Sequence, residues 1–342
     1  MKKLGLTILI ILLIAAAIGF KGYTAIWGEN VNADIDNPVL YIPKNADLQM
    51  VVDSLTANNL INNVGNFELT AKLMKYGGQS IKSGRYDLSD IKTNRSLLSK
   101  LRIGDQDAIN VIINGGRTID EVIDNIATQM TFTSVDLKEV LLSSDIKKQW
   151  ETSDATIITK IVPDTYQMYW DTSPSSFVER LGTEYQKYWN PTRIDEAAKQ
   201  SLTPDEVITL ASIVEKETNQ AEEYGVIAGV YLNRLKRGML LQADPTVVFA
   251  NGDFTIRRVL NKHLRKDSPY NTYMYAGLPP GPICLPSKGA IEGVLNPQSH
   301  KYLYFCAQPN YSGNHDFSKN LIQHNNYANK YRRWLSSQGI RK

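Results

Sequence analysis

The segment Leu210-Ala211-Ser212-Ile213-Val214-Glu215-Lys216-Glu217-Thr218 carries the side chains best suited to proton chemistry. On a helix, Leu210, Val214 and Glu217 are spaced four and three apart and share a face. Glu217 therefore extends an apolar stripe. A carboxyl group at the edge of a buried stripe has its pKa raised by desolvation, which is what a general acid near neutral pH requires. Glu215 lies about 200° away on the helical wheel, beside Ala211 and Ile208, and is the supporting or alternative acid. Taken alone, Glu-Lys-Glu at a helix end also describes an ordinary solvated face.

The helix carrying these acids has a clear start. Thr203 is a good N-cap and Pro204 fits the first helical position, so a helix is predicted over Pro204–Thr218. Helical periodicity also marks Leu137–Leu142, Phe177–Trp189, Glu222–Arg237 (ending at Gly238) and Asn320–Ser336. Lys301–Ala307 alternates like a strand. Gly277–Pro286, with four prolines and two glycines, must be an irregular loop. Around these elements lie Gln242-Ala243-Asp244-Pro245-Thr246, Ser268-Pro269-Tyr270-Asn271-Thr272-Tyr273 and Tyr302-Leu303-Tyr304-Phe305. Amides, hydroxyls and aromatic rings gathered in loops suit a sugar cleft. Rings stack on pyranose C–H bonds, and amides bond hydroxyl and acetamido groups. The same residues also describe core aromatics and common turns.

Composition excludes several classes. The 342 residues carry 38 basic and 35 acidic side chains, a net charge of +3. That balance does not suit a protein reading nucleic-acid phosphates by charge. The two cysteines, Cys284 and Cys306, stand outside any CxxC or Cys/His cluster, so no metal site is expected. One disulfide and two buried thiols are both compatible with their positions. No G-x-S-x-G or H-E-x-x-H occurs, and His263, His300, His315 and His324 are scattered.

Lys2 and Lys3 precede the uncharged run Leu4–Phe20, which spans roughly 25 Å as a helix. Tyr23–Trp27 adds interfacial aromatics, with Lys21 snorkelling. A single-pass anchor in the cytoplasmic membrane is expected, with the N-terminus inside and everything after about Ile26 outside. A cleaved signal peptide, with Ala15-Ala16-Ala17 as the small-residue site, is the alternative.

Residues 28–38 read as a polar linker. Val39–Ile42 then reads as a strand and Asp47 as a helix cap. A similar unit recurs 71 residues later: Ile42, Asp47, Leu48, Val51, Val52 and Leu55 align with Ile113, Thr118, Ile119, Val122, Ile123 and Ile126. Between the copies, Phe67–Tyr76 and Ser96–Leu101 look helical, and Ser83–Leu88 turns into a strand.

Several of these motifs together resemble the YceG-like family of endolytic murein transglycosylases. The resemblance rests on Leu210–Thr218, Asn233-Arg234-Leu235, Gln242–Thr246, Tyr270–Tyr273, Gly277–Pro282 and Tyr302–Phe305. Pro163-Asp164-Thr165-Tyr166 and His315-Asp316-Phe317 add to it. It covers about Ile161–Tyr331. Before Pro163 the family commonly has a Gly- and aromatic-rich approach, whereas this chain has Thr159-Lys160-Ile161-Val162, which affects the groove wall.

The resemblance implies cleavage of the β-1,4 bond between N-acetylmuramic acid and N-acetylglucosamine inside nascent strands. The product is a 1,6-anhydro end, and strand elongation terminates there. Glu217, followed by Thr218, matches the family's Glu-Ser/Thr pair and is implied as acid/base. Gln242, Asp244, Tyr270, Asn271, Tyr273, Pro279 and Tyr304 are implied as substrate-binding. No cofactor or metal is implied. The expected partners are glycan strands, the cytoplasmic membrane, and peptidoglycan synthases or division and elongation proteins. A lysozyme-like muramidase and a non-catalytic wall-binding scaffold are the competing readings.

The expected fold class is α+β. Residues 1–27 form a cytoplasmic stub and transmembrane helix, and 28–38 the linker. The resemblance implies a LysM-like α+β region over residues 39–135. It likewise implies a mixed α/β catalytic domain over residues 136–342 with a lytic-transglycosylase-type catalytic helix.

Overall fold

The computed structural model describes residues 2–339. Met1 and residues 340–342 lie outside the described residues, as do the side chains of Lys2 and Lys3 on which the expected orientation rests. The chain divides into two compact units. The first comprises the residues up to Val111 with Gln129–Phe132 and Tyr166–Ser173. The second comprises Ile112–Thr128, Thr133–Thr165 and the chain from Pro174 onward. This division differs from the expected single boundary at 135/136, because the chain passes between the units more than once.

The first unit begins with α1 (Lys2–Trp27). Its span Leu4–Trp27 is long and apolar enough to cross a membrane. The helix runs past Lys21 without a break, so it is longer than the apolar run alone. Next come β1 (Val39–Ile42), α2 (Leu48–Ala57), α3 (Val64–Leu73), β2 (Gly84–Asp87) and α4 (Asn94–Ile103), and then β3 (Ile109–Ile113), which crosses the division. Strands β1 and β2 pair antiparallel, with Leu40 opposite Tyr86. The alternation of β2 buries Gly84 and Tyr86. Leu40, Leu55, Phe67, Leu97 and Leu101 close the core beneath.

Residues 28–38 do not behave as a free linker. Asn30 is buried, and its amide donates to Asn63 C=O at 2.9 Å and to Asn94 Oδ1 at 2.9 Å. Its own Oδ1 accepts from Asn63 N–H at 2.7 Å. Short bridges join Glu29 to Thr93 and Val31 to Ile61. Asparagine reads as solvated in composition, yet its amide can serve a buried peptide group as both donor and acceptor.

The same network holds the end of α1. The last carbonyls of a helix lack partners within it, and Ala25 is fully buried. Its C=O accepts from Thr70 Oγ1 at 3.0 Å and from Asn94 Nδ2 at 2.9 Å. The Arg95 guanidinium lies 4.2 Å over the Trp27 ring.

Strand β4 (Asp164–Met168) crosses the division, and the second unit is mostly helical: α5 (Ile119–Ala127), α6 (Ser134–Leu141), α7 (Ser144–Gln149), α8 (Pro174–Tyr188), α9 (Pro191–Lys199), α10 (Pro204–Glu217) and α11 (Tyr224–Leu235). It closes with α12 (Asp244–Asn251), α13 (Asn261–Leu264), α14 (Lys288–Leu295), β5 (Tyr304–Ala307), β6 (His315–Ser318) and α15 (Leu321–Ser337). Residues 277–286 form the expected irregular loop. Strand β5 pairs antiparallel with β6, placing Phe305 opposite Phe317. The expected strand Lys301–Ala307 is thus shorter, and its partner was not foreseen.

The offset repeat exists locally. Asp47 caps α2 by accepting from Met50 N–H, and Thr118 caps α5 by accepting from Glu121 N–H. Val51, Val52 and Leu55 are buried, as are Val122, Ile123 and Ile126. The two copies nevertheless belong to different units, since α2 lies in the first and α5 in the second.

Asn94→Ala should cost about 1–3 kcal/mol, because it leaves the buried Ala25 carbonyl with one fewer donor and the Asn30 amide with one fewer acceptor. Hydrogen exchange should show faster amide exchange over residues 24–32 with protection in the second unit retained. Unchanged exchange there would mean that the junction does not depend on this network.

Candidate active site

Helix α10 is anchored at its start. Thr203 is the N-cap as predicted, with Pro204 in the first turn, and Glu206 completes a reciprocal cap with it. Asp205 accepts from Thr159 Oγ1 at 2.6 Å and from Lys160 Nζ at 3.0 Å. Thr159 and Lys160, the residues that depart from the family's approach to Pro163, are buried and hold this helix end.

The helix is not amphipathic in the expected sense. Every residue from Val207 to Val214 is buried, as in a helix packed on all sides. Ser212 uses its hydroxyl to accept from Ile283 N–H at 2.9 Å and to donate to Thr209 C=O at 2.7 Å. This ties the loop 277–286 to α10. Gly281 allows a close approach in that loop, since a Cβ there would sit 2.0 Å from the Ala155 carbonyl oxygen. Cys284 is a buried thiol that donates to Ser212 C=O at 3.5 Å.

The two acids at the helix end have different surroundings. Glu215 accepts from the Ser287 hydroxyl at 2.6 Å and faces Ser287 N–H at 3.4 Å. Ser287 is the N-cap of α14, so Glu215 places its charge at a helix N-terminus. Glu217 is the last residue of α10 and accepts from Tyr231 Oη at 2.5 Å. Burial pushes the Glu217 carboxyl up to about 7. The Tyr231 hydrogen bond and the charge of Arg234 pull downward, while the nearby Asp244 carboxylate adds to the rise. Tyr231 itself is raised well above the ordinary phenol value, by burial first and then by Glu217, so it remains a donor.

Tyr231 and Arg234 are three apart on α11 and share a face. The Arg234 guanidinium donates to Leu303 C=O at 2.7 Å and to Leu241 C=O at 2.7 Å. Phe305 meets the Tyr231 ring edge-on, with centroids 5.9 Å apart, and packs against His315 at 5.3 Å. Behind Glu217, Thr218 Oγ1 donates to Glu223 Oε2 at 3.2 Å. That carboxylate also accepts from His315 N–H at 2.7 Å, and its second contact to His315 Nδ1 is 2.7 Å. The segment after α10 is therefore fixed to strand β6.

Glu217 opens on a cleft of about 760 Å³ that Asp244 also lines. Lys216, Arg117, Arg257 and Arg258 line it as well, with Tyr331 from α15. Tyr273 Oη donates to Asp244 Oδ1 at 2.6 Å, so this predicted residue reaches the cleft through its partner. Gln242 is exposed, with φ at 49° and its N–H bonded to Thr272 C=O.

The other predicted binding residues do not line this cleft. Asn271 is fully buried and donates to Leu264 C=O at 2.9 Å and Lys266 C=O at 2.8 Å, so its amide shapes the loop. Tyr270 packs on Phe249 with centroids 4.7 Å apart, and Pro279 is buried. Tyr304 lies under Arg234 and stacks on His324 at 5.4 Å. The residues not foreseen are Tyr231 and the basic cleft side chains. The spacing of Tyr231 and Arg234 on one predicted helix was the available signal.

A helix-end carboxyl brought near neutrality by burial and open to a cleft, with Asp244 on the same wall, makes a candidate acid/base site. The chain belongs to the YceG-like family, whose model matches residues 40–330. A Bacillus subtilis (strain 168) protein named endolytic murein transglycosylase is 29% identical over 323 residues, covering 89% of this chain and 87% of the relative. A protein of the same name from Streptococcus pneumoniae (serotype 2, strain D39) is 28% identical and covers 95% of this chain. This chain spans 66% of that relative's length. A crystal structure of a YceG-like protein from Listeria monocytogenes matches with a TM-score of 0.54 and 29% identity, covering 84% of this chain and 98% of that one.

Glu217 lies above its ordinary value of 4.5 when folded, so between pH 4.5 and about 7 the folded chain keeps a proton that the unfolded chain has released. The associated stability is fully present below 4.5 and is lost as pH rises through about 7. Thermal melts should show wild type losing stability relative to Glu217→Gln across this window and running parallel to it above. A constant difference would mean that the acid is not desolvated. Tyr231→Phe should move the Glu217 titration further up, as read by carboxyl carbon NMR.

Proposed function

We propose that this chain is an endolytic lytic transglycosylase of peptidoglycan, with Glu217 as its acid/base. The observation that carries this reading is a single desolvated carboxyl, hydrogen-bonded by Tyr231 and open to the cleft. The bond cleaved is the β-1,4 link between N-acetylmuramic acid and N-acetylglucosamine. Protonated Glu217 gives its proton to the leaving glycosidic oxygen as the C1–O bond breaks. The C6 hydroxyl of the same muramic acid then bonds to C1 and gives its proton back to Glu217. A 1,6-anhydro end forms, no water is consumed, and the carboxyl is again protonated. One carboxyl therefore suffices. Cutting inside nascent strands would terminate their elongation.

Helix α1 supports a role as cytoplasmic-membrane anchor, with the catalytic unit outside. The order β1-α2-α3-β2, with its outer strands paired antiparallel, supports the LysM-like reading of the first unit and a part for it in holding glycan. Peptidoglycan synthases or division and elongation proteins are the proposed protein partners. A second reading has one observation in its favour: Asp244 lines the same cleft as Glu217. Two carboxyls could support hydrolysis by water.

Mass spectrometry of products from purified peptidoglycan separates the two readings, since hydrolysis yields a reducing end and the lytic reaction an anhydro end. Glu217→Gln should lose about 10²–10⁴-fold in rate, and wild-type kcat/KM should fall as pH rises past about 7, where the acid loses its proton. Glu215→Gln should keep cleavage and lose about 1 kcal/mol of stability at the α14 terminus. Near-wild-type cleavage by Glu217→Gln would remove Glu217 as the acid.

A further inference from the structure

The cleft beside Glu217 is unlike a groove built for neutral sugar alone. Tyr270 and Tyr304 are engaged elsewhere, Tyr273 reaches the cleft through Asp244, and Tyr331 is the aromatic side chain on the cleft wall. Four cationic side chains, Arg117, Lys216, Arg257 and Arg258, line it against the two carboxyls Glu217 and Asp244. They come from separate parts of the chain: the turn after β3, the end of α10, and the segment between α12 and α13. The chain as a whole is nearly balanced, at 38 basic to 35 acidic residues, so this excess is local. Among the described residues, no salt bridge joins any of the four to a carboxylate within 4.0 Å. Gathering like charges around one cleft is unfavourable unless an anion enters it.

We infer that this wall binds the carboxylates of the stem peptide carried by the muramic acid, so that the cleft selects peptide-bearing strands over bare glycan. This rests on the proposed reaction. In a stem-bearing strand the lactyl carboxyl of each muramic acid is taken up in the amide to its stem, so the strand's free carboxylates lie on the stem peptides. The paired guanidinium groups of Arg257 and Arg258 suit such groups, because each planar fork can hold a carboxylate with two parallel hydrogen bonds. Both arginines are exposed, so they are free to bind without disturbing the core. A pyrophosphate on a lipid-linked strand offers similar anionic chemistry and is distinguished by experiment.

The test uses the protein in detergent and soluble, lipid-free glycan fragments, either bearing stem peptides or stripped of them with each lactyl carboxyl capped as its neutral amide. Wild type should show a lower KM for stem-bearing fragments, and raising salt from about 0.05 to 0.5 M should shrink that preference. In the double variant Arg257→Gln/Arg258→Gln the preference should fall about fivefold or more. Calorimetry of the same fragments with Glu217→Gln, with and without the arginine changes, reads binding independently of turnover. Arginine-dependent binding of stem-bearing fragments without wild-type cleavage would overturn the reaction and support the anion site. Equal KM for both fragments, a preference the arginine changes leave intact, or a preference seen only with lipid-pyrophosphate strands would overturn the inference.

Discussion

The second unit depends on the burial of one helix. From Val207 to Val214, α10 presents no residue to water. Its side chains form the centre of a core shared with Ile227 and Tyr231 of α11, Leu241 and Ala243 ahead of α12, and Ile291 and Val294 of α14. Each large aliphatic side chain buried there is worth roughly 1.5–3 kcal/mol. The polar residues within the run are used as fasteners. Ser212 holds the proline-rich loop and Thr209 bonds back to Asp205 C=O at 2.8 Å. A helix fixed on every side delivers its terminal residue to a defined place, and that residue is Glu217.

The chemistry of the terminal carboxyl follows from opposing effects. Burial disfavours its charge, while the Tyr231 hydroxyl and the Arg234 charge favour it. Burial is the largest of these, so the balance settles near neutrality. Glu215 is two residues away, but Ser287 gives it hydrogen bonds at the start of α14. The same residue type is thus a desolvated carboxyl with a raised pKa at one position and a helix-terminus contact at the other. Arg234 has a further part: by holding the carbonyls of Leu303 and Leu241, it links β5 and the Gln242–Asp244 turn to the helix that carries Tyr231.

In the first unit the corresponding constraint is the junction at Ala25. Side-chain hydrogen bonds to a helix-end carbonyl join α1 to α3 and α4 without a flexible segment between. A buried asparagine pair, Asn30 and Asn94, completes the arrangement. The first unit is therefore continuous with the apolar helix in structure as well as in sequence.

Local signals in the sequence determined the helix caps at Asp47, Thr118 and Thr203, the long apolar N-terminal helix, the irregular loop at 277–286 and the position of Glu217 at the end of α10. Each is set by residues within a few positions of one another. The sequence did not reveal that residues 28–32 are integrated, because an asparagine's worth depends on the distant peptide groups it meets. Nor did it separate Asn271 and Tyr304 from cleft residues, since an amide or ring has the same composition whether it faces substrate or Leu264 and His324. Tertiary structure alone decided that α10 is buried all round, that Tyr231 is the donor to Glu217, and that the cleft wall is cationic. The physical reason is common to all three. Desolvation, hydrogen-bond partnership and local charge density are properties of groups brought together from distant parts of the chain, and sequence spacing does not encode their separation in space.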